Sequence, residues 1–171
     1  MTVTLDGLNS LKASEATDLF LSCCGSSAWA KEMVKGRPYS SVGKLLDSAD
    51  RAWSSAAPDQ IREAFAYHPR IGETNADALQ SDAAKAWSKT EQSKLNIASS
   101  NVHDQMALVN SAYEARFGYI YIVSAMDKSA DDMLGLARKR LRNDPERELR
   151  IAAGEQGKIT RLRLKRLLGA E

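Results

Sequence analysis

One stretch of this chain, Tyr119–Ala125 (YIYIVSA), is a continuous run of aromatic and β-branched residues, and it is the only strand-like segment in the sequence. A lone strand has no neighbour to pair with, so a sheet cannot organise the fold. The backbone groups of that run still need partners. They predict a buried extended segment, and a candidate binding wall, set among helices.

The remaining sequence has helical periodicity cut by glycine and proline. Leu11 to Cys23 is apolar-periodic and stops near Gly25; Ser27 to Val34 carries Trp29 and Met33 one turn apart. Ser41 to Ser54 repeats Val42, Leu45, Leu46, Ala49 and Trp53 at helical spacing. Pro58 suits a first helical position, where its missing N–H is no loss, and Pro69 disfavours helical geometry at His68, ending that helix near Tyr67. After a loop over 69–80, a short helix is expected over Ser81–Trp87. A long one should run from about Thr90 to Phe117, with a stripe of Leu95, Ala98, Val102, Met106, Val109, Tyr113 and Phe117 closed by a left-handed Gly118. Ser129 and Asp132 cap the next helix, which ends near Asn143, and Asp144–Pro145 opens the last, which runs to about Leu168. The expectation is one all-α domain over residues 1–171, of about eight helices with one buried extended segment.

Composition narrows the class. The 171 residues are 43% hydrophobic and 27% charged, ordinary for a globular protein, and no stretch approaches the ~18 apolar residues of a membrane span. The net charge is +2, but eleven basic against five acidic residues fall between Arg138 and Glu171. A basic end of that kind fits either a nucleic-acid contact or the solvated face of a helix. Two adjacent cysteines, Cys23 and Cys24, give no disulfide framework. Neither a signal peptide nor a peroxisomal tripeptide is read, so a cytoplasmic setting is the expectation.

Few residues are equipped for chemistry. His103 is most simply a surface residue of the long helix. His68 is pinned at a helix end by Pro69, and an imidazole titrates near ~6.5, suited to proton transfer. Two histidines are too few for a histidine-based metal site. Ser88-Lys89-Thr90-Glu91-Gln92 fits a capping box at the start of the long helix, and also a helix N-terminus that presents donors and a carboxylate to a pocket. In the last helix Arg163 falls on the apolar stripe with Ala152 and Ile159, while Arg161 is about 200° around from Ile159. An arginine on a buried face is answered by a bound carboxylate, or by a guanidinium that snorkels to water. Dinucleotide, Walker and nucleophile-elbow motifs are missing. Any chemistry is therefore expected to be acid–base and cofactor-free.

RPYSSVGKLL, HPRIG, SKTEQ, FGYIYIVSA and KITRLRLKRLL occur in that order. Together they resemble the OHCU decarboxylase family, which acts on 2-oxo-4-hydroxy-4-carboxy-5-ureidoimidazoline, and the likeness covers nearly the whole chain. The resemblance implies an all-helical homodimer that needs no metal or organic cofactor and yields (S)-allantoin and carbon dioxide. It implies His68 as catalytic acid/base with Glu91 beside it. It implies substrate contacts from Pro69, Ser88, Gln92, the backbone of Tyr121, Ile122, Val123, Ser124 and Ala125, and Arg163, with Arg161 as competitor for the arginine role. The partner is then a small ureidoimidazoline, with no nucleic acid or membrane involved. Two alternatives stand beside it: a non-enzymatic helical interaction domain using the basic last helix, and a related lyase for another ureido substrate.

Overall fold

The computed structural model describes residues 2–71, 81–91, 93 and 100–170, and among them there are nine helices and no strand. The helices are α1 (Leu5–Ser10), α2 (Ala13–Cys24), α3 (Ser27–Lys35), α4 (Val42–Ser54), α5 (Pro58–Ala66), α6 (Asp82–Glu91), α7 (Ser100–Phe117), α8 (Ala130–Arg140) and α9 (Pro145–Leu167). The all-α expectation holds, with one helix more than expected. That helix, α1, has only two leucines in six residues. It is held by its ends: the Thr4 hydroxyl accepts from Gly7 N at 3.0 Å, and Arg37 Nη1 donates to Leu8 O at 2.8 Å and Leu11 O at 2.9 Å.

The expected stops and starts are where the breakers placed them. Gly25 ends α2 at φ 84° and Gly118 follows α7 at φ 77°, both left-handed. Ser129 and Asp132 form a reciprocal capping box at α8. The long helix departs from expectation. Helix α6 runs on through Ser88 to Glu91, Ser93 N donates to Thr90 O, and α7 is described from Ser100 onward. Leu95 and Ala98 lie outside the described residues; Val102 is only half-buried, while Met106, Val109, Tyr113 and Phe117 are buried as the stripe requires.

The residues group into two compact units, 1–64 with 157–171, and 65–156. In the first, α3 packs on α2 and on α4. Phe20 and Trp29 meet edge to face at 5.9 Å, and the indole N–H of Trp29 donates to Ala49 O at 3.1 Å. Tyr39 is buried, and its hydroxyl donates to Met33 O at 2.8 Å. In the second unit α7 packs on α8. Its core is aromatic: Tyr113 lies 4.7 Å from Phe117, 5.9 Å from Tyr119 and 5.3 Å from Tyr121. Offset and edge-on rings of this kind add about 0.5–1.5 kcal/mol per pair beyond burial.

Two predictions follow from these environments. Burial pushes the Tyr39 hydroxyl up to about 12, with Arg37 and Arg51 opposing. A neutral phenol favoured by folding stabilises the protein below the unfolded value near ~10, and that contribution is lost as pH rises toward 12, by about 1.4 kcal/mol per unit. Urea midpoints between pH 9 and 12 should therefore fall less steeply in Tyr39→Phe than in the wild type; equal slopes would remove Tyr39 from the alkaline transition. At Gly118 an added Cβ would meet nothing within 4 Å. Gly118→Ala should then cost about 1 kcal/mol from the left-handed backbone alone, read from chemical denaturation. A loss beyond ~3 kcal/mol would mean that packing also depends on this glycine.

Candidate functional site

His68 stands just past α5, in a turn where its N–H donates to Phe65 O at 3.1 Å. It is half-buried, and its Nε2 is shielded from solvent. The turn is tied down on both sides. Phe65 packs its ring 5.1 Å from that of Tyr119. Arg70 forms a two-pronged pair with Glu114 of α7, at 2.9 and 3.0 Å, and the buried Asn110 of α7 donates to Ile71 O at 2.8 Å. His68 and Pro69 are thus carried on a short turn tied to Tyr119 and to α7, which fixes where the imidazole sits. Sequence reasoning singled out His68 but not Glu114 or Asn110, whose partners lie 44 and 39 residues away.

Ser88 and Glu91 occupy the last turn of α6, three residues apart and so on one face. This corrects the capping reading. The N-terminal cap of α6 is Ser81, whose hydroxyl accepts from Ala84 N at 3.2 Å, and the SKTEQ segment lies at the other end of that helix. The reason is local. Thr90 returns its hydroxyl to Ala86 O at 3.1 Å, so this polar residue sits inside the helix without breaking it. The electrostatics reverse with the position: a helix C-terminus disfavours a carboxylate, and Lys89 in the last turn offsets Glu91. Ser88 is buried and Glu91 half-buried. Gln92 lies outside the described residues, as do residues 72–80 of the loop expected over 69–80.

Tyr121, Ile122, Val123 and Ser124 are buried in a segment that is neither helix nor strand, and protein groups satisfy part of their backbone. Arg140 Nη1 donates to Ile122 O at 2.8 Å, Ser124 N donates to Glu155 Oε2 at 2.7 Å, and Lys128 Nζ donates to Ser124 O at 2.9 Å. Lys128 N closes on Ala125 O at 3.3 Å. The Tyr121 hydroxyl donates to Met133 O at 3.1 Å, and burial pushes it well above the ordinary phenol range.

Arg140 and Glu148 were missed by sequence reasoning. Glu148 is 0% exposed. Its Oε1 accepts from Arg140 Nε at 2.7 Å and from the Tyr113 hydroxyl, and its Oε2 accepts from Asn143 Nδ2 at 2.7 Å. Burial by itself would lower the Arg140 guanidinium, yet Glu148 and the two tyrosines hold it above its ordinary value. Burial and the bond to Glu148 push the Tyr113 hydroxyl far above the phenol range. A signal was available: Glu148, Ala152, Gln156 and Ile159 step along α9 at helical spacing, and all are buried.

Arg163 belongs to the first unit. It is 2% exposed, which excludes a guanidinium that snorkels to water. It lies near Cys24, whose thiol burial pushes up to about 12, against a hydrogen bond from Thr160 and the charge of Arg163. Arg161 points elsewhere, its Nη1 paired with Asp50 Oδ2 of α4 at 2.6 Å. The face argument that favoured Arg163 as the buried arginine agrees with both placements.

His68, Pro69, Ser88, Glu91 and Tyr121–Ala125 all fall in the second unit. Together they offer an imidazole, a carboxylate, a hydroxyl and main-chain groups, a set suited to holding a small polar molecule and moving a proton. Among the described residues no cluster of His, Cys, Asp and Glu could hold a metal ion, and no helix is long and apolar enough to cross a membrane.

Comparison with known proteins identifies the family. The OHCU decarboxylase family model matches residues 9–165. A mouse 2-oxo-4-hydroxy-4-carboxy-5-ureidoimidazoline decarboxylase is 30% identical over 172 residues, covering 95% of this chain and 92% of its own. An Arabidopsis thaliana uric acid degradation bifunctional protein is 34% identical over 145 residues, covering 85% of this chain, which spans 45% of that longer protein. A crystal structure of OHCU decarboxylase in the presence of (S)-allantoin superimposes with a TM-score of 0.76 at 32% identity, covering 89% of this chain and 98% of that one. By the family match and by the mouse relative, the chain belongs to the OHCU decarboxylase family.

Proposed function

We propose that the protein decarboxylates 2-oxo-4-hydroxy-4-carboxy-5-ureidoimidazoline to (S)-allantoin and carbon dioxide, the last step of urate breakdown to allantoin. The observation that carries this reading is the likeness over nearly the full length to a decarboxylase crystallised with (S)-allantoin. The histidine of HPRIG, held on a bridged turn in the same unit as Ser88 and Glu91, supports it.

The chemistry suits this set of groups. When the carbon–carboxylate bond breaks, its electron pair needs a sink, and the conjugated ring of the substrate can take it, so the step requires no electron-accepting cofactor. Carbon dioxide leaves, and one proton is then delivered to one face of the ring carbon that becomes the stereocentre. In this reading His68 manages that proton. Glu91 accepts hydrogen bonds from substrate hydroxyl or N–H groups and orients them, beside Pro69, Ser88 and Gln92. Main-chain groups of Tyr121–Ala125 line the ligand, and Arg163 binds its polar or anionic part. The same reading carries a single domain, a homodimer and a cytoplasmic setting, the last in keeping with two buried free cysteines.

Circular dichroism of the product tests the activity. The ureidoimidazoline is generated fresh from urate and this protein is added. The unassisted reaction ends in racemic allantoin, so rapid growth of a single-handed (S) signal is expected, reduced about 10²–10⁴-fold in His68→Ala. Racemic product at the background rate from folded protein would remove the assignment, and wild-type turnover in His68→Ala would remove the role of the histidine. A second variant separates chemistry from folding. Glu91→Gln takes a negative charge from a helix C-terminus, so stability should hold or rise by a few tenths of a kcal/mol while activity falls. Unchanged activity per folded molecule would take Glu91 out of the site.

A further inference from the structure

The segment 121–125 is buried but irregular, so something other than secondary structure must set the direction of each of its peptide groups. Two peptides are fixed by α9. Glu148 and Glu155 are seven residues apart, two helical turns, and so share a face. Glu148 fixes the first peptide indirectly: it holds Arg140, whose Nη1 takes Ile122 O at 2.8 Å. The Arg140 guanidinium also lies 4.8 Å from the centre of the Tyr121 ring, which leaves it little freedom to swing. Glu155 fixes the second peptide directly, taking Ser124 N at 2.7 Å.

These bonds flank Val123. In a trans peptide the C=O and N–H point in opposite directions. With Ile122 O on Arg140, the N–H of Val123 is aimed away from Arg140. With Ser124 N on Glu155, the C=O of Val123 is aimed away from Glu155. Neither Val123 group has a hydrogen-bond partner among the described residues. One donor and one acceptor are therefore left on a residue whose two peptide planes are both anchored by carboxylates outside the set His68, Ser88, Glu91 and Arg163.

We propose that Glu155, and Glu148 acting through Arg140, are positioning residues of the decarboxylase: by fixing the peptides on either side of Val123 they aim its N–H and C=O at the substrate. This rests on the reading that the 121–125 backbone lines the ligand. A ureido group, with adjacent N–H donors and a C=O acceptor, is the part of the substrate that such a pair matches.

The test compares Glu155→Ala, Glu155→Gln and Arg140→Lys with wild type and His68→Ala, by KM, kcat and thermal midpoint. Glu155 is half-buried, so Glu155→Ala should fold. Its KM should rise on the order of tenfold, the equivalent of a lost hydrogen bond to a charged group, with kcat changing less. Glu155→Gln keeps an oxygen that accepts from Ser124 N, and should return KM to within about twofold of wild type. Arg140→Lys keeps the charge but loses the planar fork that serves Glu148 and Ile122 O together, and where it folds its KM should also rise. A wild-type KM in folded Glu155→Ala overturns the proposal. So does a Glu155→Gln no better than Glu155→Ala, because charge rather than a fixed amide would then matter. A fall in kcat that only tracks the fraction folded, with KM unchanged, overturns it as well and assigns these residues to stability. If His68→Ala is inactive while all three variants keep the wild-type KM, the positioning role fails and the decarboxylase reading stands. A wild type without activity removes both.

Discussion

A carboxylate with no access to water dominates the second unit. Moving Glu148 out of solvent costs several kcal/mol, and the fold tolerates it only because both of its oxygens are matched. The three groups that match them come from different places: Tyr113 from α7, Arg140 from the end of α8, and Asn143 from the link to α9. A single buried charge therefore sets the relation of three helices. It also reaches one step further, because Arg140 extends a nitrogen to Ile122 O.

That extension explains how an irregular segment survives in a core. Helices satisfy their own backbone, and a stretch that makes neither helix nor sheet must borrow partners from side chains. Between Ile122 and Ala125 the loans come from Arg140, Glu155 and Lys128. At its start the Tyr113 ring packs against those of Tyr119 and Tyr121. Hydrophobic burial supplies most of the driving force, while the charged groups decide which way each peptide faces. A regular strand could not do this without a sheet beside it.

Much of this was legible from residues. Gly25, Gly118, Pro58 and the Ser129–Asp132 box act through local backbone physics, and each marked its helix end. Arg163 and Arg161 were separable by helical geometry, and the structure buries one and pairs the other with Asp50. What was not legible depends on distant partners. Helix α1 is stabilised by Arg37, 26 residues past its C-cap Leu11. The Ser88–Glu91 pattern satisfied a capping rule that Ser81 had already fulfilled for the same helix. Within PERELR, Glu148 looks like one more solvated charge, and only its register with Ala152, Gln156 and Ile159 marks it as inward-facing. The histidine of the candidate site was visible in its motif; the side chains that hold its turn in place were not.

The buried pair of cysteines has a practical meaning for anyone handling the molecule. Burial pushes the Cys24 thiol up to about 12, which keeps it in the unreactive protonated form at neutral pH. Both Cys23 and Cys24 are also walled off from solvent. Alkylating reagents and mild oxidants must therefore wait for the surrounding core to open before they can act. The chain carries a built-in clock for breathing of its first unit, readable by timed thiol labelling without any engineered cysteine.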